Sequence, residues 1–286
     1  MASAWGSSEI TTRHAIFAPA GRGSIVDRER FDREFAALAL SRQIPIVETE
    51  LAGVEREQSS GRWQLRFANG LTASSKFVAD ASGRSRIFGR FSGTKPTVFD
   101  RLIAITAFAE PTGFPKGEAL VESAEQGWWF SAVDSNGDLS VTWFTYPSLT
   151  TSARAQFEQA LSQTIHTVAR INKLRASCLI SRTARTDWLD QPAGEGWLAV
   201  GDAAFASDPL GSQGLSRVFE MSQTACSFIA NHLARNEDVV RQYTDSCVQW
   251  VSRFLTDREY FYGMERRWPD APFWRLARDA RTVPFE

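Results

Sequence analysis

The chain of 286 residues is poor in the side chains that build metal centres and disulfide frameworks. Its cysteines and histidines are Cys178, Cys226, Cys247, His14, His166 and His232. The cysteines form no CxxC pair and the histidines are far apart, so we expect neither a metal site nor a disulfide scaffold. Free thiols are typical of a reducing compartment, and the start MASAWGSSEI lacks the apolar segment of a signal peptide. The sequence therefore predicts a cytoplasmic location.

Charge and hydropathy exclude two further classes of protein. Lysine and arginine number 32 and aspartate and glutamate 33, for a net charge of −1, which argues against a nucleic-acid or membrane-surface partner. No apolar run is long enough to span a bilayer. What is abundant is ten tryptophans and twenty phenylalanines against four tyrosines. Such rings build either a bulky core or a cavity for a flat aromatic ligand, and both interpretations stay open here.

The hydrophobic pattern predicts two α/β blocks on either side of a β-rich middle. Helices are predicted over 28–42, capped by Asp27, over 152–174, over 212–235, capped by Ser212, and from 238 onward. Strands are predicted over 102–109, 128–133, 139–146, 177–188 and 197–200. This order fits an α/β domain interrupted by a sheet. We expect segments at 1–97, 98–181, 182–235 and 236–286.

A short apolar strand ends in Gly201-Asp202 and is followed by a glycine-containing loop and a long helix. A carboxylate at this end of a strand, such as that of Asp202, can accept hydrogen bonds from ligand hydroxyls. Gly211 and Gly214 allow the backbone to approach a ligand closely. The helix start directs N–H groups and a positive dipole end toward an anionic ligand. A Gly-x-x-Gly pair alone also precedes ordinary helices, but the complete order is more specific.

This stretch, GWLAVGDAAFASDPLGSQGLSRVFEMSQTA at 196–225, resembles the second FAD-binding motif of the flavin-dependent aromatic hydroxylase superfamily, which has the para-hydroxybenzoate-hydroxylase-like fold. The branch it resembles most holds tryptophan halogenase-like and LodB-like flavoproteins. The resemblance places Asp202 at the ribityl chain of FAD, and the loop and helix start beside the isoalloxazine ring. Those loop and helix residues are Pro209, Gly211, Gln213, Gly214, Leu215 and Ser216. Phe205 stands where many hydroxylases have histidine, so that histidine's role is not carried over.

Three further stretches resemble the same superfamily. SIVDRERFDREF resembles the segment that approaches the FAD pyrophosphate and ribityl region, here with Arg28, although a surface arginine at a helix start would look similar. FVADASGRSRIFGR resembles the turn that closes the first FAD-binding block, with the usual Asp-Gly pair split after Asp80. GWWFSAVDSNGDLSVTWFTY resembles a substrate-domain hairpin, which makes Trp128, Phe130 and Trp143 substrate-pocket candidates. Packing of the sheet against a helix is the alternative role for these rings.

The superfamily opens with a strand and a GxGxxG loop that binds the ADP half of FAD, and this chain contains no GxGxxG. The one G-x-G, at 21–23, lacks the third glycine. We therefore expect an N-terminally truncated chain, a second polypeptide that supplies the missing unit, or a protein that has lost flavin. The implied fold class is α/β, with an incomplete Rossmann-like FAD-binding domain, an inserted β-rich substrate domain and C-terminal helices.

The function that the resemblance implies is an FAD-dependent oxidoreductase, a monooxygenase of an aromatic, tryptophan-type substrate, either small or peptidyl. No catalytic acid or base is assigned, because the chemistry belongs to the cofactor. One alternative is a non-catalytic remnant or subunit that acts by binding. Another is a reductase of isoprenoid double bonds within the same superfamily, which would need an apolar tunnel rather than a tryptophan-lined pocket.

Overall fold

The computed structural model describes residues 1–12, 26–134, 136–151, 153–234 and 239–279. The G-x-G at 21–23 lies outside the described residues. The chain divides into two compact units: the first contains Met1–Ile46, Arg101–Ala184 and Glu259–Ala280, and the second contains Val47–Asp100 and Arg185–Arg258. The predicted first segment, 1–97, is thus divided between the two units. Which residues bind FAD stays a prediction.

The described elements are numbered along the chain. The strands are β1 (Ala2–Ala4), β2 (Thr11–Thr12), β3 (Leu51–Arg56), β4 (Trp63–Phe67), β5 (Thr72–Ser75), β6 (Val78–Asp80), β7 (Pro96–Val98), β8 (Ile103–Pro111), β9 (Ala119–Ala124), β10 (Gly127–Val133), β11 (Leu139–Thr145), β12 (Ile171–Leu174), β13 (Ile180–Thr183), β14 (Asp187–Leu189), β15 (Ala193–Gly194), β16 (Trp197–Ala199) and β17 (Phe205–Ala206). The helices are α1 (Arg28–Ser41), α2 (Ile87–Phe91), α3 (Arg154–Ser162), α4 (His166–Ala169), α5 (Gly214–Leu233), α6 (Val239–Met264) and α7 (Pro272–Arg278).

The first unit is built on one large sheet with the strand order β12-β8-β11-β10-β9-β1-β2, and β13 also pairs with β8. Strands β8, β11, β10 and β9 pair antiparallel with one another, whereas β1 runs parallel to β9. The sheet is buried on both faces at β10. Trp129 packs against Phe157 of α3 on one face, and Trp128 stacks on Phe144 on the other. All residues of β10 are buried except Phe130, which is partly buried.

The prediction of one helix over 152–174 is wrong. The chain instead forms α3, α4 and β12. The physical reason is the buried carboxylate of Glu122, which accepts hydrogen bonds from the backbone N–H groups of Ile165 at 2.7 Å and Thr167 at 2.7 Å. These bonds cap a new helix start at α4 and end the preceding helical run. The predicted strand over 177–188 is likewise two strands, β13 and β14.

The second unit contains three small sheets, with strand orders β15-β16-β6, β17-β14-β7 and β3-β4-β5. Strands β6 and β16 are parallel, and α5 and α6 contribute to one apolar core with them. Within that core the ring of Phe205 packs edge-on against Phe254, and Phe228 packs against Tyr243. The predicted combination of an α/β unit, a β-rich part and C-terminal helices is confirmed.

The three cysteines are free thiols, and they differ in accessibility: Cys178 and Cys226 are exposed, whereas Cys247 is buried. Burial disfavours the charged thiolate and raises the pKa of Cys247 to about 12. We expect a thiol reagent to modify Cys178 and Cys226 quickly in the native protein and Cys247 only after denaturation. Timed labelling followed by peptide mass spectrometry checks this. Fast labelling of Cys247 in the native state would contradict the burial of that thiol.

Candidate functional site

Two parallel strands of the second unit end at the same edge of their sheet. Strand β6 pairs with β16, with Asp80 opposite Ala199. A 3-10 turn begins within three residues of the end of each strand, over Gly83–Ser85 and over Gly201–Ala203. Ligands of α/β folds collect outside the carboxyl ends of such strands. The DASG and GD motifs identified in the sequence therefore lie at the kind of sheet edge where α/β folds bind ligands.

The turn after β16 presents the carboxylate of Asp202. Gly201 has a φ of +63°, and a Cβ at this position would lie 3.1 Å from Cγ2 of Val218, so the turn requires glycine. The Asp202 side chain is 43% exposed, and its ion-pair contact is with Nε of Arg84 at 3.7 Å. This distance is too long for a hydrogen bond. The carboxylate therefore keeps oxygens available for a ligand.

The loop between the GD turn and α5 is fixed by its own hydrogen bonds. The buried carboxylate of Asp208 accepts the N–H of Leu210 at 2.8 Å and begins a 3-10 turn over Pro209–Gly211. Ser212 follows with a φ of +49°, a left-handed conformation that non-glycine residues seldom adopt. The prediction that Ser212 caps the helix is therefore wrong. Helix α5 begins at Gly214, and Gln213 occupies the cap position.

The start of α5 is open. The side chain of Gln213 makes no capping hydrogen bond, and a Cβ built on Gly214 would meet nothing within 4 Å. Leu215 is half-buried and Ser216 is exposed. The first N–H groups of a helix have no partner within the helix, so this end offers donors and the positive end of the dipole to an anionic group. The structure thus brings the predicted loop and helix-start residues together in one short segment that follows Asp202.

A buried charge cluster, which the sequence reasoning missed, lies next to the GD turn. The carboxylate of Asp187 is fully buried and forms ion pairs with Arg86 and Arg185. Nη1 of Arg84 lies 3.9 Å from the same carboxylate. Nε of Arg86 also donates to the carbonyl of Ala203 at 2.9 Å, directly beside Asp202 in the chain. The cluster therefore joins the ends of β6 and β16 to β14.

Arg84 connects this cluster to Asp202. Its Nη1 donates to the carbonyl of Arg185 at 2.6 Å and its Nη2 to the carbonyl of Ser207 at 3.2 Å. Burial lowers the pKa of Arg84, while the charges of Asp202 and Asp187 act in the opposite direction. The sequence did contain a signal for this cluster. The GRSR run at 83–86, inside the FVADASGRSRIFGR stretch, places two arginines shortly after the end of β6.

Arg28 belongs to the first unit, and the segment around Asp202 belongs to the second. The predicted helix start is confirmed, because the Asp27 side chain accepts the N–H of Arg30 at 3.1 Å. The guanidinium of Arg28 is exposed and pairs with Asp32 at 3.3 Å. This is the surface arginine that the alternative interpretation describes, and a contact with FAD pyrophosphate stays a prediction.

The three substrate-pocket candidates lie in the first unit on two different faces of the sheet. Trp129 is directly opposite Trp143 in the pairing of β10 with β11, so Trp143 shares the face of Trp129 and not that of Trp128 and Phe130. Trp128 is buried, and its Nε1 donates to the Tyr262 hydroxyl at 3.0 Å. These contacts favour a core role for Trp128.

Trp143 is also buried, but it contributes to the wall of a cavity of about 320 Å³. The residues around this cavity are Glu125, Gln126, Trp143, Leu149, Gln156, Gln159, Pro272 and Phe273. Nε1 of Trp143 donates to the carbonyl of Gln126 at 3.2 Å, which holds the ring in the wall. The side chains that reach solvent here are mainly polar, so a substrate role for Trp143 stays a prediction.

The part of the chain that the structure describes contains no cluster of histidine, cysteine and carboxylate side chains suited to a metal ion. In the same residues, no helix is both long and apolar enough to cross a lipid bilayer.

Comparison with known proteins agrees with the α/β fold. Residues 17–285 match the model of the tryptophan halogenase family, so the chain belongs to that family. The LodB protein of Marinomonas mediterranea, which carries the name FAD-dependent oxidoreductase, is 28% identical over 284 residues, or 96% of this chain and 76% of LodB.

Several solved structures share the fold. The flavin-dependent halogenase CmlS has a TM-score of 0.84 at 21% identity, over 97% of this chain and 54% of its own. The myxobacterial chondrochloren halogenase CndH has a TM-score of 0.81 at 19% identity, over 100% of this chain and 70% of its own. The peptidyl tryptophan dihydroxylase QhpG has a TM-score of 0.77 at 20% identity, over 96% of this chain and 62% of its own. The chain thus spans about half the length of CmlS.

Proposed function

We propose that this protein is an FAD-dependent oxidoreductase, and specifically a monooxygenase that oxygenates an aromatic ring of the tryptophan type, free or within a peptide. Its membership of the tryptophan halogenase family supports the flavin chemistry. The name of LodB, an FAD-dependent oxidoreductase, supports redox chemistry, and that of QhpG, a peptidyl tryptophan dihydroxylase, supports an aromatic substrate. The observation that carries the proposal is the half-exposed Asp202 carboxylate followed by the open start of α5.

The residues at this edge fit the flavin half of FAD. Ribityl hydroxyls need an acceptor, and Asp202 has carboxylate oxygens that no described residue engages at hydrogen-bond distance. A ring that carries negative charge needs donors, and the uncapped N–H groups of α5 are donors. The open space above Gly214 leaves room for a close approach of the ring to the backbone. The residues that would hold FAD are Asp202, Pro209, Gly211, Gln213, Gly214, Leu215 and Ser216.

When bound, FAD supplies the redox chemistry with oxygen. The side chains of this chain would bind the cofactor, orient the substrate and exclude water from the site. In this scheme Asp202 would bind the ribityl chain, and the Pro209–Gly211 turn would shape the loop that meets the flavin. Asp208 keeps that turn in place through its bond to Leu210. Arg86 holds the GD turn against β14, because it donates to the Ala203 carbonyl and pairs with the Asp187 carboxylate.

The first test is FAD binding. We expect Asp202→Ala to weaken FAD binding by about 1.5–3 kcal/mol, the range for a lost hydrogen bond to a charged group. This corresponds to roughly a tenfold to hundredfold rise in Kd. Fluorescence titration of FAD with the unsubstituted chain and the variant measures the change. Asp245→Ala is the control, because this carboxylate lies on the exposed side of α6 in the same unit. Equal affinity of the Asp202 variant and the parent would show that the GD motif does not bind FAD.

The second test separates the reactions. The protein is mixed with reduced FAD, oxygen, chloride and a tryptophan-containing peptide, and the products are analysed by mass spectrometry. A mass gain that corresponds to oxygen supports the monooxygenase, whereas incorporation of chlorine would assign halogenation instead. FAD binding without turnover of aromatic or isoprenoid substrates would favour the non-catalytic alternative. Saturation of an isoprenoid double bond would favour the reductase.

A further inference from the structure

The side chain of Arg217 is an unusual buried cation in the first turn of α5. Arg217 is 8% exposed. Its guanidinium carbon lies 4.7 Å from the centre of the Phe205 ring and 5.9 Å from that of Phe254. Its Nη2 donates to the hydroxyl of Ser207 at 2.5 Å. The guanidinium is therefore held by two aromatic rings and one neutral acceptor, directly after the loop that the proposed function assigns to the flavin.

The other buried arginines of the second unit lie close to carboxylates, whereas Arg217 does not. Arg86 pairs with Asp187, and Arg258 lies 3.5 Å from Asp100 and 3.5 Å from Asp208. Within the described residues, Arg217 forms no ion pair. Burial lowers the pKa of Arg217; the charges of Asp202 and Glu220 offset this in part, and that of Arg84 adds to it.

A buried charge without a counter-ion is costly, because the desolvation of the cation is not repaid by a nearby anion. Stacking on aromatic faces returns only part of that cost. The guanidinium also adds its full charge to the positive end of the α5 dipole. Such a cation stabilises any negative charge that develops beside the helix start.

We propose that Arg217 is the residue that stabilises the reduced, anionic form of the bound flavin and raises its reduction potential. This inference rests on the proposed function. Reduction of the oxidised ring by two electrons and one proton leaves one negative charge on the isoalloxazine. A fixed cation lowers the free energy of that charged form and leaves the neutral oxidised form nearly unaffected. Arg217 thereby favours reduced over oxidised FAD at this site.

The test is the midpoint potential of the FAD-loaded protein, measured by dithionite titration against a reference dye. We expect Arg217→Gln to lose at least tenfold in its preference for reduced over oxidised FAD, equivalent to a fall of about 30 mV for a two-electron couple. Arg217→Lys keeps the positive charge, so its midpoint potential should stay close to that of the unsubstituted protein. Separate titrations with oxidised and reduced FAD should show that the affinity for the reduced form accounts for the loss.

The matched control is Arg241→Gln, which removes an exposed cation from α6 and should leave the potential unchanged. An unchanged potential in folded, FAD-bound Arg217→Gln would overturn the inference and leave the proposed function intact. If both Arg217 variants fail to fold, the cation serves the core and the inference is rejected. Failure of the chain to bind FAD even when a GxGxxG unit is supplied would reject both the inference and the proposed function.

Discussion

Replacement of Asp187 by asparagine is expected to destabilise the protein by about 3–5 kcal/mol, the range for loss of one member of a buried ion pair. The substitution keeps the shape of the side chain and removes its charge. Arg86 is then left buried without a counter-ion, and Arg185 and Arg84 lose the same carboxylate. Urea denaturation of the parent and Asp187→Asn, followed by far-UV circular dichroism, measures the difference in the free energy of unfolding.

The control for this prediction is Asp245→Asn. Asp245 also faces an arginine, Arg241, but at 4.0 Å and on the solvent-exposed side of α6. Exposed ion pairs contribute little, so the control should unfold like the parent. A stability of Asp187→Asn equal to that of Asp245→Asn would mean that the buried cluster does not hold the strand ends together.

Truncation of Trp128 to alanine is expected to cost about 3–5 kcal/mol, as for other large buried aromatic side chains. The ring is buried and stacks on Phe144 with 3.7 Å between ring centres. It also packs edge-on against Trp5, and its Nε1 donates to the Tyr262 hydroxyl. The truncation removes all of these contacts and leaves a void in a close-packed core. Thermal and urea unfolding of Trp128→Ala measure the loss.

Phe130→Ala on the same strand is the comparison, because Phe130 is only partly buried and should lose less. The pair of variants also separates the two roles that the sequence leaves open for these rings. A core role predicts a large loss of stability for Trp128→Ala. A pocket role predicts a stable variant with altered substrate turnover, and that result would contradict the core assignment.

The elements that depend on local signals could be predicted. Helix α1 begins where Asp27 caps it. The capping residue directly precedes the helix in the sequence, so the helix start could be predicted. The predicted helix over 152–174 failed because its interruption comes from Glu122, which is distant in sequence. Strand β9 was missed for the same reason. Its glutamate and serine look like surface residues, but in the fold both are buried with hydrogen-bond partners.

The candidate site shows the same division. Asp202, the Pro209–Gly211 turn and the start of α5 form one contiguous motif, so their proximity could be predicted from spacing. The cluster of Arg84, Arg86 and Asp187 could not, because its members come from separate segments that only the folded chain brings together. Arg217 lies inside the predicted motif, but burial without a counter-ion is a property of the packed state.

The positive charge at this edge of the second unit is carried by guanidinium groups, and none of the residues that form the edge is a histidine or a lysine. Guanidinium groups stay protonated under all conditions in which proteins stay folded. Above the acidic range in which carboxylates titrate, the electrostatic field here is therefore constant. A pH profile of ligand binding at this edge consequently reports the proton equilibria of the ligand itself, against a background charge that does not change.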